Sequence, residues 1–323
     1  MSGTLRAAAS ARDALQRGYQ LHPLLAAATG ATAAGMALTF PLQMLDPLQS
    51  GGAPAWSAPF RLFASMTVLC ASILWIGSRL GRSPSFSRAG LAVAAVAVLE
   101  PWLAVLRVVL DPRPRLGGPV TMADQELAAL MVVGHVALFA ALVVLAVEVM
   151  RRPVGAPAIT WGIRVGLWLT LLGMAIDPSR GLPALLNSSG DWRPAHVLAY
   201  AAVQLLPLLG WVLSRRRELR VSHQLTLLSV GAVSYAGVML VLAWQAARGQ
   251  AFTAPDPLTV AALVVVIAGG ASSAASVLAH AREVQHLVHE ARTASERRQA
   301  MLARAQMAQM VVARARRDAL KQR

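Results

Sequence analysis

The sequence predicts an all-α, polytopic membrane helix bundle of about eight transmembrane helices, with both termini on the cytoplasmic side. Three observations point there. The 323-residue chain is 56% hydrophobic and only 14% charged. Its apolar runs approach or exceed the roughly 18 residues at which a bilayer-spanning helix becomes the preferred reading over a buried soluble one. Arginines recur in every second connecting segment, as they do where basic loops stay in the cytoplasm.

The spans are expected at about residues 24 to 44, 60 to 77, 88 to 110, 127 to 150, 159 to 176, 194 to 213, 224 to 246 and 257 to 279. They are too long, and too lacking in strict alternation, for barrel strands, so helices that satisfy their own backbone groups remain. The fifth is the weakest of the eight. Arg6, Arg12 and Arg17 precede span one; Arg79, Arg82 and Arg88 flank the second loop; Arg151 and Arg152 the fourth; Arg215, Arg216, Arg217 and Arg220 the sixth. The alternate loops hold fewer, with Arg113, Arg115, Arg180, Arg193 and Arg248 spread over three of them. Three regions follow: a basic leader at 1–23 with no convincing cleavage site, a membrane domain at 24–279, and a cytoplasmic helix at 280–323. That last segment has ten basic and four acidic residues and no Gly or Pro. Its composition favours a helix continuing from span eight. Met301, Leu302, Ala305, Ala308, Val312 and Ala315 form a stripe suited to a partner helix or to anionic lipid.

Net charge is +15, and 29 of the 30 basic residues are Arg. Because the charge lies mainly between apolar segments, it reads as topology information and contact with anionic lipid rather than as a nucleic-acid surface. The Arg, Ala and Leu usage is that of a GC-rich genome, and a bacterial cytoplasmic (inner) membrane is the expected location. A single cysteine, Cys70, rules out an internal disulfide, a CxxC pair and a thiolate metal cluster.

Polar groups inside apolar spans are the best site candidates. Glu100 lies mid-span, and Pro101 after it leaves the carbonyl of Ala97 without its helical partner. Carboxylate, kink and carbonyl together can hold a proton, a cation or a polar ligand; the alternative is a Glu bonded to one neighbouring helix. Arg107 is seven residues on, about 10 Å nearer the outside, where it can snorkel. His135 sits about eight residues inside span four. In SSGDWRPAHVLAYAAVQLLPLLGW, Ser188 to Trp211, an outer loop enters span six through Pro194, with Asp191 suited to cap or charge the helix start and Trp192 to the interface. His196, Tyr200 and Gln204 then descend one broad helical face, and Pro207 frees the carbonyl of Val203. Glu148 and Arg164, near the inner ends of their spans, can pair or snorkel.

The GDWRPAHVLAYAAVQLLPLLG string resembles a recurring segment of a group of uncharacterised bacterial multi-pass proteins. Asp191, Arg193, His196, Gln204 and Pro207 carry the resemblance, and Trp161 to Gly173 has a weaker likeness. It implies no activity.

One function expected from these residues is an outward-facing polar cavity, formed by Glu100, His135, His196, Tyr200, Gln204 and Arg107, that moves or senses a small solute, with proton coupling. A second is redox: haem b held by His22 and His223, or by His135 and His196, although the outer pair differs in depth by about 12 Å. A third is a scaffold or accessory subunit that recruits a partner through 280–323. Enzymatic chemistry has little to stand on, since the chain has no HExxH site, aspartate-rich diphosphate site or serine-based constellation.

Overall fold

The computed structural model describes residues 19–20, 22–45, 49–50, 53–81, 83–110, 122–175 and 191–321. The leader arginines Arg6, Arg12 and Arg17, the residues Asp46, Arg82, Asp111, Arg113, Arg115, Asp177 and Arg180, and the start of the SSGDWR loop lie outside them.

Among the described residues, eight helices form the body: α1 Pro23–Leu45, α2 Ser57–Leu80, α3 Pro84–Leu110, α4 Met122–Arg151, α5 Pro157–Ala175, α6 Arg193–Ser214, α7 Val221–Ala247 and α8 Pro257–Lys321. Between α1 and α2, β1 (Gln49–Ser50) pairs antiparallel with β2 (Ala53–Pro54). Among the described residues, all eight helices are long and apolar enough to cross a membrane. Several extend a turn past their apolar runs, because first turns such as Pro84–Ser85 are polar yet tolerate unpaired backbone donors. Residue 280 marks no break: α8 runs for 65 residues, about 97 Å at 1.5 Å per residue.

The helices pack as two groups of four. α1, α2 and α3 pack on one another with α4 set on α3, α5, α6 and α7 pack on one another with α8 set on α7, and the groups meet where α4 touches α5 and α2 touches α6. Leu69, Ile73, Leu138, Leu142, Ile163 and Leu167 are fully buried between them. Large apolar side chains face away from the bundle on every helix, including Leu38, Trp102, Val133, Trp168, Val233 and Val265. Water would not tolerate an apolar surface on that scale, and a bilayer would. Eight such helices with this outer surface are compatible with a multi-pass membrane protein.

Polar contacts tie one end of the bundle, the arginine-rich one. His22 accepts from the Leu25 N–H through Nδ1 at 3.1 Å, serving the first turn of α1, while its Nε2 donates to the Ser87 carbonyl of α3 at 2.9 Å. Ser83, ahead of α3, donates to Glu148 of α4 at 2.9 Å, and Arg152 approaches the same carboxylate at 3.4 Å. Glu148 therefore does not pair with Arg164. Arg164 instead donates to the carbonyls of Val149 and Met150, each at 3.1 Å, covering acceptors that the last turn of α4 leaves open.

The tightest helix contact is between α5 and α6. A Cβ on Gly162 would lie 2.4 Å from the Leu206 carbonyl oxygen, one on Gly166 2.6 Å from that of Ala202, and one on Gly210 2.3 Å from that of Ala158. Backbone meets backbone, as small residues four apart allow. Thr170 adds a bond to the Ala199 carbonyl at 3.0 Å. This explains how one of the two least apolar spans is the one most enclosed by its neighbours.

The α7–α8 turn is closed by charge. Arg248 meets Asp256 at 2.7 and 3.0 Å and stacks 3.8 Å over Trp244. Asp256 also accepts the Thr259 N–H at 2.8 Å, the N-cap role its place before Pro257 foretells. The Arg248 hydrogen bond, then those from Thr259, hold the Asp256 carboxyl well below the usual carboxylate range.

Two outcomes follow from these contacts. Gly166→Ala forces an overpacked backbone contact and is expected to destabilise by about 1–3 kcal/mol, whereas Gly30→Ala, with nothing within 4 Å of the new Cβ, is neutral or stabilising; melting of the two variants in detergent distinguishes them. A depressed folded value for Asp256 gives stability that is present above its unfolded value of about 3.9 and is lost as pH falls through the folded one. Amide exchange across residues 249–259, corrected for intrinsic rate, should therefore quicken in strong acid, and Asp256→Asn should exchange fast throughout.

Candidate functional site

α6 places its polar face on the joint between the two groups of helices. There α2, α3, α4 and α6 enclose a cavity of about 290 Å³, lined by Glu100, His135, His196, Tyr200 and Gln204 among others. Five of the six residues singled out from sequence thus share one space. Arg107 does not line it. Seven residues of helix carry it about 10 Å along α3, where its Nη1 lies 3.9 Å from the sulfur of Met131, itself a lining residue.

Glu100 is 3% exposed, and its carboxyl is set against the backbone of α4. A Cβ on Gly134 would come within 3.0 Å of Glu100 Oε1, so the glycine makes room for the carboxyl and His135 follows it into the wall. α3 stays helical through Pro101. The proline therefore acts by exposing acceptors and not by ending the helix.

His196 bonds through Nδ1 to the carbonyl of Gly173 on α5 at 3.1 Å. A carbonyl only accepts, so Nδ1 carries the proton, and in the neutral ring Nε2 is the acceptor. Gly173 is suited to this place: a Cβ there would strike Ala199 at 2.1 Å and push α6 away. Tyr200 packs on the imidazole with ring centroids 4.7 Å apart. Gln204 is satisfied when its amide nitrogen faces its own helix, donating to the carbonyls of Tyr200 and Ala201 at 3.1 Å each. A carboxyl, two imidazoles, a phenol and an amide meet in one small space. They can grip a solute through several hydrogen bonds and exchange protons with it.

The mouth of α6 differs from expectation. Trp192 is buried, at 5% exposure, and not displayed at an interface. It also occupies the N-cap position, with Asp191 one residue earlier accepting from the Arg193 N–H at 3.2 Å and from its guanidinium at 3.0 Å. Arg193 is largely exposed.

Haem b does not fit the residues offered for it. Both His22 nitrogens are used in hydrogen bonds, and His223 packs against His280 of α8 at 5.8 Å, so that pair is not assembled. His135 and His196 do share a cavity. Its volume lies at the lower limit of small-molecule sites, about 300–1,000 Å³, which suits a small solute and not a macrocycle.

Sequence reasoning missed the contribution of α2, from which Ser65 and Met66 reach the cavity; a hydroxyl in the apolar run LFASM was the available signal. It also missed the role of Gly173, legible in retrospect as the third glycine on the face of α5 that carries Gly162 and Gly166. Comparison of the chain with protein-family models, with curated proteins and with solved structures yields no match.

Proposed function

We propose that the protein is an integral protein of a bacterial inner membrane that binds a small polar solute in a cavity open to the side away from the cytoplasm. Binding is coupled to proton exchange at Glu100 and the two imidazoles, and serves transport or sensing of the solute. Both termini are cytoplasmic, on the arginine-rich side, where anionic lipid meets the basic loops. The basic end of α8 supplies the contact with a cytoplasmic or membrane partner.

One observation carries this reading: Glu100, His135, His196, Tyr200 and Gln204, from three separate helices, line the same cavity. Polar side chains scattered through a bundle merely to satisfy neighbours have no reason to converge on open space, whereas ligand and proton sites do. Convergence at the joint between two helix groups adds to it, because a joint is where one group can move against the other.

The purified protein is screened by thermal shift against small polar cations, zwitterions and carboxylates at several pH values. A class of solute is expected to stabilise it in a pH-dependent manner. Glu100→Gln should weaken that solute about ten-fold, as losing one charged hydrogen bond does, and His135→Ala and Gly134→Ala should weaken it as well. Unchanged response in Glu100→Gln, His135→Ala and His196→Ala alike contradicts the proposal.

A further inference from the structure

A second and larger space lies on the other side of α6. A groove of about 860 Å³ runs between α6, α7 and α8. Its walls are apolar over most of their length, with Leu209, Val212, Leu227 and Ile267 among them, and Ile267 remains 58% exposed. The groove is therefore open sideways, towards whatever surrounds the bundle. It exists because α8 is pinned at both ends of its stretch 257–285 and packs on α7 in between. Arg248, Asp256 and Thr259 fix one end. Gln285, donating to the Glu218 carbonyl, fixes the other. Between them Gly270 abuts Ser234 and Gly237 abuts Val266, which draws α8 onto α7 and leaves α6 apart. Tyr235 crosses the gap to donate to the Leu198 carbonyl.

The polar residues of this groove are not scattered. Arg216 and Arg282 line it at the arginine-rich end, both exposed. Glu218 lines it there too, so the mouth keeps one positive charge in excess, beside Arg217 and Arg220 of the same turn. From Ile267 to Gln285 the groove follows α8 for about 27 Å. One leaflet with its headgroups spans about half of 40–45 Å.

We propose that this groove binds one anionic phospholipid, with its acyl chains along the apolar walls and its headgroup phosphate between Arg216 and Arg282. A long apolar slot with cationic groups at one end matches a lipid of that class in shape and charge. A second copy of the chain matches it poorly. Two copies inserted in the same sense would bring their arginine clusters together at one level, and like charges facing each other oppose association. The inference rests on insertion of the bundle in a membrane and not on the solute cavity, which faces the opposite side of α6.

The full chain, purified in detergent, is mixed with equal amounts of phosphatidylglycerol and phosphatidylcholine of identical acyl chains, and retained lipid is read by native mass spectrometry. The expected result is one phosphatidylglycerol retained in preference to phosphatidylcholine by about ten-fold. Arg216→Gln with Arg282→Gln should reduce that preference to parity, and Ala271→Phe, which fills the groove, should reduce retention of both lipids. The two arginines are exposed, so their replacement tests the site even where Ala271→Phe fails to fold. Equal retention of the two lipids by the unaltered protein, an undiminished preference in the double arginine variant, or a two-copy species that Ala271→Phe dissociates would each overturn the proposal. A solute response that survives while lipid selectivity fails, or the reverse, separates this site from the cavity.

Discussion

Backbone contact between α5 and α6 sets how α6 is presented to every other helix it meets. In a surrounding as apolar as the helices themselves, burial of side chains gives little drive for association, and close packing and interhelical hydrogen bonds must supply it. Gly162, Gly166, Gly173 and Gly210 provide the approach. Thr170 and His196 provide bonds that cross it. The consequence is positional: α6 is held in one rotation about its axis, and both of its remaining faces acquire a fixed meaning.

One face turns His196, Tyr200 and Gln204 to the joint with α2, α3 and α4, and the other turns Leu209, Val212 and Leu213 to the groove beside α7 and α8. A shift of α6 cannot alter one space without altering the other. Solute bound on the first face and lipid bound on the second would then act on the same helix, and such coupling is reciprocal. α8 is suited to carry the result outward, since its inner anchor at Gln285 lies on the turn that ends α6 and the helix runs on unbroken to Lys321.

Much of this was legible in the sequence because the solvent imposes a strong pattern. A run must be long and apolar to cross a bilayer, so the eight helices announced themselves, and the fifth was weak only because its environment is protein, with Arg164 and Thr170 bonded to neighbouring backbone. The cavity residues were legible for the same reason, as polar groups with no cheaper place to be. What one dimension cannot carry is which helix faces which. Arg107 was counted with Glu100 as part of one cavity, yet seven residues of helix carry it out of the lining. Ser65 and Met66 were passed over although α2 brings them in. His22 looked like a ligand until its partners, Leu25 and Ser87, used both nitrogens.

On the proposed function, the space around Glu100, His135 and His196 opens away from the arginine-rich side of an inserted bundle. Cys70 is the chain's single cysteine, so a Cys70→Ala background lets one position be read at a time with a membrane-impermeant maleimide in intact cells and in inverted vesicles. Arg193→Cys and Arg217→Cys mark the two sides. Tyr200→Cys is predicted to label from the same side as Arg193→Cys, more slowly because it lies inside the cavity. Labelling of Tyr200→Cys only from the side of Arg217→Cys, or only by a lipid-soluble reagent, would rule out a cavity that opens away from the arginine-rich side.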